Sequence, residues 1–249
     1  MASPCFIGTS GWRYDHWVGP FYPESDREDG FSHLDFYARR LPAVEINNSF
    51  YQLPSEETLD RWRDATPEGF RFAAKASRHI THMKKLKDPE ETLPPFVERL
   101  KRLGDRLGPL LFQLPPNWRF NPDRLDAFLA ALPGEFRCAI EFRDPSWHDD
   151  RALAALERAG VAFCIYELAG HESPRAVTAD LVYIRLHGPG EAYRGKYDAR
   201  TLAGWAGAIS AWSRRGRTVY CFFDNDEAGH AAENAQTLAD MLSIQRPNE

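Results

Sequence analysis

The chain has 249 residues, enough for one large α/β barrel or two ordinary domains, and its 43% hydrophobic and 27% charged residues exclude a disordered chain. A net charge of −5 disfavours a protein that binds nucleic acid over its whole surface, because neutralising phosphates takes clustered Lys and Arg. The opening MASPCFIGTS has no basic segment followed by an apolar run, and no stretch approaches the ~20 apolar residues of a membrane span, so a cytoplasmic protein with no membrane partner is expected.

Taken in chain order, FIGTS (6–10) reads as a first strand, and the aromatic, Pro- and Gly-containing stretch 11–30 as a structured loop. A helical pattern over 34–41 leads to the strand AVEIN (43–47), a second over 56–65 to RFAAKAS (71–77), and a third over 94–104 to PLLFQL (109–114). Helical segments at 122–132 and 149–160 bracket CAIEFR (138–143) and precede VAFCIYEL (161–168). The connection 169–180 contains Pro174 and is too short for a long helix; LVYIRLHG (181–188) and TVYCFFDND (218–226) follow, and a helix over 230–242 closes the series.

Strands alternating with helices imply parallel strands joined by crossovers, and eight such repeats in about 250 residues predict a TIM (β/α)8 barrel, with residues 1–249 as a single domain. An open doubly wound sheet is the competing architecture. Against it, FIGTSGW offers only Gly8 and Gly11 where a dinucleotide fingerprint needs three glycines. Cys5, Cys138, Cys164 and Cys221 each sit in a strand-like run with no CxxC pair, so free core thiols are expected rather than disulfides or zinc.

Residues two apart in a strand share a face. In CAIEFR, Cys138, Ile140 and Phe142 therefore form the helix-facing side, while Ala139, Glu141 and Arg143 point into the barrel and toward its C-terminal mouth, where barrel enzymes place their chemistry. The same parity brings Glu45, Asn47, Lys75, Gln113, Arg185, His187 and Asp224 to that mouth. So many buried ions serving stability alone would be energetically poor, which favours a functional site over a structural network.

These residues fall within motifs that, in this order, resemble the YecE-like family, domain of unknown function 72, over essentially the full chain. The motifs are GTSGW (8–12), VEINNSFY (44–51), FRFAAKASRHITH (70–82), GPLLFQLPPNW (108–118), IEFRDPSW (140–147), RLHGPG (185–190) and FFDNDEAGH (222–230). The resemblance implies a TIM barrel and carries no established activity or catalytic residue.

The chemistry is therefore read from the residues. Lys75, Arg143 and Arg185 predict a small anionic or phosphorylated ligand, held with help from Asn47, Gln113, Trp147 and Tyr193. Gly188 and Gly190 in the loop HGPGEAYRGKY lie where barrels often bind phosphate through backbone N–H groups. Glu45, Glu141, His187 and Asp224 are the catalytic candidates for acid–base work, and hydrolysis or isomerisation would both use them. The cofactor is left unknown: the same four residues could hold a divalent metal, but Lys75 and Arg143 beside them would repel it. A glycosidase is disfavoured, since the fourth and seventh strands end in Gln113 and His187 rather than acids. Two alternatives stay open. One is a barrel that binds an anion without turnover; the other is a nucleic-acid-processing, endonuclease-like barrel guided by Arg78, His79, His82, Lys84, Lys85 and Lys87, though the net charge disfavours nucleic acid.

Overall fold

The computed structural model describes residues 2–24 and 31–244, so part of the 11–30 loop, residues 25–30, lies outside them. The apolar runs form eight parallel strands: β1 (Cys5–Ser10), β2 (Ala43–Ile46), β3 (Arg71–Lys75), β4 (Leu107–Gln113), β5 (Cys138–Glu141), β6 (Ala162–Leu168), β8 (Leu181–Leu186) and β9 (Thr218–Phe223). They neighbour one another in the order β5-β4-β3-β2-β1-β9-β8-β6, and pairing of β5 with β6 closes the ring, giving a (β/α)8 barrel. A two-residue strand, β7 (His171–Glu172), adds antiparallel to the end of β6. Among the described residues no helix is long and apolar enough to cross a membrane.

Among the described residues seven α-helices surround the ring: α1 (His33–Ala38), α2 (Glu56–Asp64), α3 (Pro89–Leu100), α4 (Pro122–Ala131), α5 (Asp150–Ala159), α6 (Ala199–Arg214) and α7 (His230–Met241). Ser55, Asn121, Asp149 and Asp198 each cap a helix by accepting a first-turn backbone N–H, the role for which these short polar side chains are suited. The third helix begins at Pro89, five residues before the predicted start. Pro94 and Pro95 lie inside it, and with Glu90 and Glu91 they face water, so the carbonyls that lose a donor there can be solvated. The longest helix, α6, falls where the sequence reading named none. Between β6 and β8 no helix forms; instead Ser173 and Thr178 accept the amides of Tyr166 and Phe163, covering β6 with a side-chain-braced loop.

Strand alternation separates two apolar layers. Ile7, Val44, Ile46, Leu110, Phe112, Ile140, Phe142, Ile184 and Val219 pack against the helices. Ala43, Ala73, Leu111, Ala139, Cys164, Tyr183 and Phe222 fill the lumen. Ile140 and Phe142 are fully buried in the outer layer while Glu141 bonds to lumen residues, so the charge-bearing parity of β5 faces inward. All four cysteines are free thiols.

Truncating Ile140 to Ala removes a fully buried side chain from the barrel–helix layer and should lower unfolding free energy by about 2–5 kcal/mol in urea denaturation. A loss below about 1 kcal/mol would mean that this face is not packed as described.

Candidate functional site

Above the apolar lumen layer, the last inward residue of nearly every strand is polar, and they meet around Arg185 at the end of β8. The Arg185 side chain is 1% exposed. Its Nε donates to both Glu45 oxygens at 3.1–3.2 Å, and Nη2 donates to Glu45 Oε1 at 2.7 Å and Asp224 Oδ2 at 3.3 Å. Nη1 reaches Glu141 Oε2 at 3.0 Å, His187 Nε2 at 3.2 Å and Gln113 Oε1 at 3.4 Å. A guanidinium has five N–H donors, and here the acceptors around it use them up. Arg185 thus supplies the positive charge between three carboxylates from β2, β5 and the end of β9.

His187 is also fully buried. Its Nε2 faces two donors, Arg185 Nη1 and Arg143 Nη2 at 3.0 Å, so it accepts; Nδ1–H therefore donates to Asp224 Oδ2 at 2.9 Å. Burial, reinforced by the charge of Arg185, pushes the imidazole below its ordinary pKa, consistent with this neutral tautomer. For Glu141 and Asp224 burial works toward a higher pKa and is outweighed. Arg143 and Arg185 hold Glu141 far below the usual carboxylate range, and the hydrogen bond from His187 with the charge of Arg185 lowers Asp224.

With this geometry in view, similarity to known proteins can be weighed. The family model described as "Protein of unknown function DUF72" matches residues 6–249. The chain belongs to this family. The UPF0759 protein YecE of Escherichia coli is 34% identical over 145 residues, a match that spans 57% of this chain and about half (49%) of that relative. YunF of Bacillus subtilis is 25% identical over 96% of this chain and 95% of its own length. The crystal structure of a DUF72 protein from Thermotoga maritima has a TM-score of 0.84 at 28% identity, covering 96% of this chain and 99% of that one. These likenesses fix fold and family, and none of their descriptions states an activity.

Two mouth cations differ from Arg185. Lys75, at the end of β3, has its Nζ 4.6 Å from the centre of the Phe50 ring, and that nitrogen forms no hydrogen bond or ion pair among the described residues. Burial, with Arg185 nearby, lowers its pKa to about 8. Arg143 binds Glu141 through Nε and His187 through Nη2, leaving Nη1 without a protein partner among the described residues, and its guanidinium lies 4.9 Å from the centre of the Tyr166 ring. Both charges act on His82, whose pKa is lowered first by burial and then by Lys75 and Arg143. Asn47, beyond β2, lines a cavity of about 400 Å³ together with Gly11, Trp12, Arg13, Tyr14, Asn48 and Trp62, and its buried Oδ1 has no partner. Tyr193 stands half-exposed with its ring 5.4 Å from that of His187.

Several expected roles change. Arg185 is not available to hold an anion, since its donors are engaged, and Gln113 accepts from it. Glu45 and Glu141, wholly buried against Arg185, position that cation, and an acid held ionised as Glu141 is makes a poor proton donor. Trp147 is not at the mouth: it is fully buried in the helix-side layer, stacked on Phe142, with its indole N–H donating to the Trp118 carbonyl. The loop after β8 is not an open backbone cradle. The Gly188 N–H donates to the Tyr197 hydroxyl, and the amides of Tyr193, Arg194, Gly195 and Tyr197 are also used within the protein. Gly188 itself has φ +117°, and a Cβ there would lie 2.3 Å from the Arg194 carbonyl, so the loop folds tightly on this glycine; Gly190 is exposed. In the basic loop, Lys84 pairs with Asp88 at 3.1 Å. Among the described residues no group of three or more His, Cys, Asp and Glu is arranged to hold a metal ion.

Three contributors went unselected from sequence. Ser10 donates to Glu45 Oε1 at 2.7 Å, Tyr183 donates to Glu45 Oε2 at 2.6 Å, and Cys164 lies 3.8 Å from Glu141 Oε2. Each sits on the inward parity of its strand, which is the signal that could have found it.

Replacing Arg185 by Met leaves three buried or half-buried carboxylates without their cation and should destabilise by about 3–5 kcal/mol near neutral pH. The folded-state pKa values of Glu141 and Asp224 are depressed, so their stabilisation is present above their ordinary values of 4.5 and 3.8 and is lost as pH falls through the folded values. In the variant Glu141 and Asp224 stay buried but lose the Arg185 charge, so they should take up protons at higher pH than in the unmodified protein, and the deficit should narrow as pH is lowered from about 7 toward about 4. Chemical denaturation of both proteins across that range checks this, and a pH-independent deficit would contradict it.

Proposed function

We propose that the chain is a barrel enzyme acting on a small anionic substrate, phosphorylated or carboxylated, bound at the C-terminal mouth. The observation that carries this reading is the division among the three mouth cations. Arg185 is saturated by the protein, whereas Lys75 and one terminal nitrogen of Arg143 have donors left over beside an aromatic rim of Phe50, Tyr166 and Tyr193. Convergent unused donors beside an apolar wall are the composition of a small-ligand site. Asn47 offers an unpartnered acceptor in a separate cavity that neither Lys75 nor Arg143 lines. Nucleic acid is less favoured, because Lys84 in the basic loop is paired internally and the net charge is −5.

A second reading, binding without turnover, has one observation behind it. His187 Nε2 is capped by two guanidinium groups and so cannot accept a substrate proton while both contacts persist. Turnover then needs a different reactive group, or movement of Arg143 when an anion engages it.

Millimolar phosphate should raise the melting temperature relative to chloride at equal ionic strength. A ligand at 100 times its dissociation constant adds about 2.7 kcal/mol, and each kcal/mol is worth about 2–4 °C for a domain near this size. Arg143→Ala should abolish the rise, while Lys87→Ala, in the exposed part of the loop after β3, should retain it. Equal responses of the two variants, or no response of the unmodified protein to any anion tested, would return these cations to a purely structural role.

A further inference from the structure

Lys75 stands apart from the other five lysines of the chain. Lys84 pairs with Asp88, Lys101 with Glu98 and Glu135, and Lys196 with Glu233; Lys85 and Lys87 are exposed on the loop after β3. Lys75 is the lysine at the end of a barrel strand, half-buried with its Nζ 4.6 Å from the centre of the Phe50 ring; the exposed Lys85 also lies near a ring, 6.0 Å from that of Trp118. Its backbone is held as well: the Lys75 carbonyl accepts from Ser49 Oγ at 2.6 Å, in the same turn that supplies Phe50. The carboxylates that would ordinarily pair with such an ammonium, Glu45, Glu141 and Asp224, all bond to Arg185. The buried cation therefore takes these carboxylates as hydrogen-bond partners; at longer range they still favour the ammonium, and burial together with the charge of Arg185 outweighs them. Amines are made nucleophilic by desolvation and by a neighbouring fixed cation.

We propose that Lys75 is a nucleophilic amine that condenses with the carbonyl group of a small anionic aldehyde or keto acid, with Arg143 taking the anionic group. The inference rests on the anion-binding reading above and adds the substrate class and the covalent step. The neutral Nζ uses its lone pair to form a bond to the carbonyl carbon, the C=O π pair moves to oxygen, and one proton passes from that nitrogen to the oxygen, giving a neutral carbinolamine. Loss of that hydroxyl as water, with a proton from solvent, and formation of the C=N bond give the protonated imine. The balance is amine plus carbonyl compound plus one proton to protonated imine plus water, with no oxidant or reductant consumed. The lowered pKa of about 8 supplies neutral amine near physiological pH and supports the step without being its basis. The iminium is an electron sink, so bonds next to the original carbonyl become the ones that can break.

The test uses the intact protein with glyoxylate, a small anionic aldehyde, and cyanoborohydride, which reduces the imine to a stable secondary amine that peptide mass spectrometry can locate. At about pH 8, Lys75 should be labelled at least about tenfold faster than Lys85 and Lys87, the exposed unpaired lysines. Inorganic phosphate should slow labelling at Lys75 alone, and uncharged acetaldehyde should lose the preference for Lys75. Labelling of Lys75 no faster than of Lys85 and Lys87, or equal selectivity with acetaldehyde, would overturn the proposal. Melting curves with phosphate on the same samples separate the two ideas. A phosphate shift without selective Lys75 labelling removes the amine chemistry and keeps the anion site, whereas loss of both removes the site itself.

Discussion

The mouth of this barrel depends on one buried guanidinium. Three carboxylates from three strands converge on Arg185, and burying them together without a cation at that point would be strongly unfavourable. The cost of burying four charges is offset because nearly every lone pair and N–H is matched: Ser10 and Tyr183 complete the shell of Glu45, and His187 that of Asp224. Such a network is a rigid floor. One guanidinium is outnumbered there by three carboxylates, so the floor offers no attraction of its own to an anion.

What lies above the floor has a different character. Lys75 and Arg143 carry charge that the protein only partly uses: Lys75 rests over the Phe50 ring, and Arg143, paired with Glu141 through Nε, lies over the Tyr166 ring with Nη1 unused among the described residues. The connection after β3 also holds Lys85, Leu86 and Asp88 at positive φ (49°, 63° and 51°), a conformation that costs non-glycine residues energy and persists only where the surroundings impose it. Leu86 is fully buried, which accounts for the tolerance of this turn, and His82 of the same connection lies edge-on to Phe50, the ring beneath Lys75. A locked inner layer and an unsatisfied outer one are the arrangement expected of a preorganised site: the inner residues position and the outer ones touch ligand. A desolvated, unpaired lysine lowers stability, and retaining one is easier to understand for function than for folding.

Much of this is legible in the sequence because strands have a period of two residues, and that period alone puts Glu45, Lys75, Gln113, Glu141 and Arg185 on the lumen face. The fold class followed from the alternation of strands and helices. Three things did not follow. Arg185 and Arg143 share chemistry and parity, and only the positions of carboxylates from other strands decide that one is saturated and the other is not. Trp147 has the parity of Glu141, but β5 ends at Glu141, and the Pro145–Trp147 turn swings the indole back onto Phe142, so parity carries no information past the end of a strand. The glycines of the loop after β8 suggested open amides, whereas the tight fold at Gly188 uses them internally.

The central claim is that the protein reserves Lys75 and Arg143 for an anion while Arg185 stays locked to its carboxylates. A crystal structure of the protein soaked with phosphate tests it most directly. The account predicts an anion within hydrogen-bonding reach of Lys75 Nζ and Arg143 Nη1, with the contacts of Arg185 to Glu45, Glu141 and Asp224 unchanged. An anion that displaces a carboxylate from Arg185, or one that settles on the basic loop and leaves the mouth to water, would contradict it.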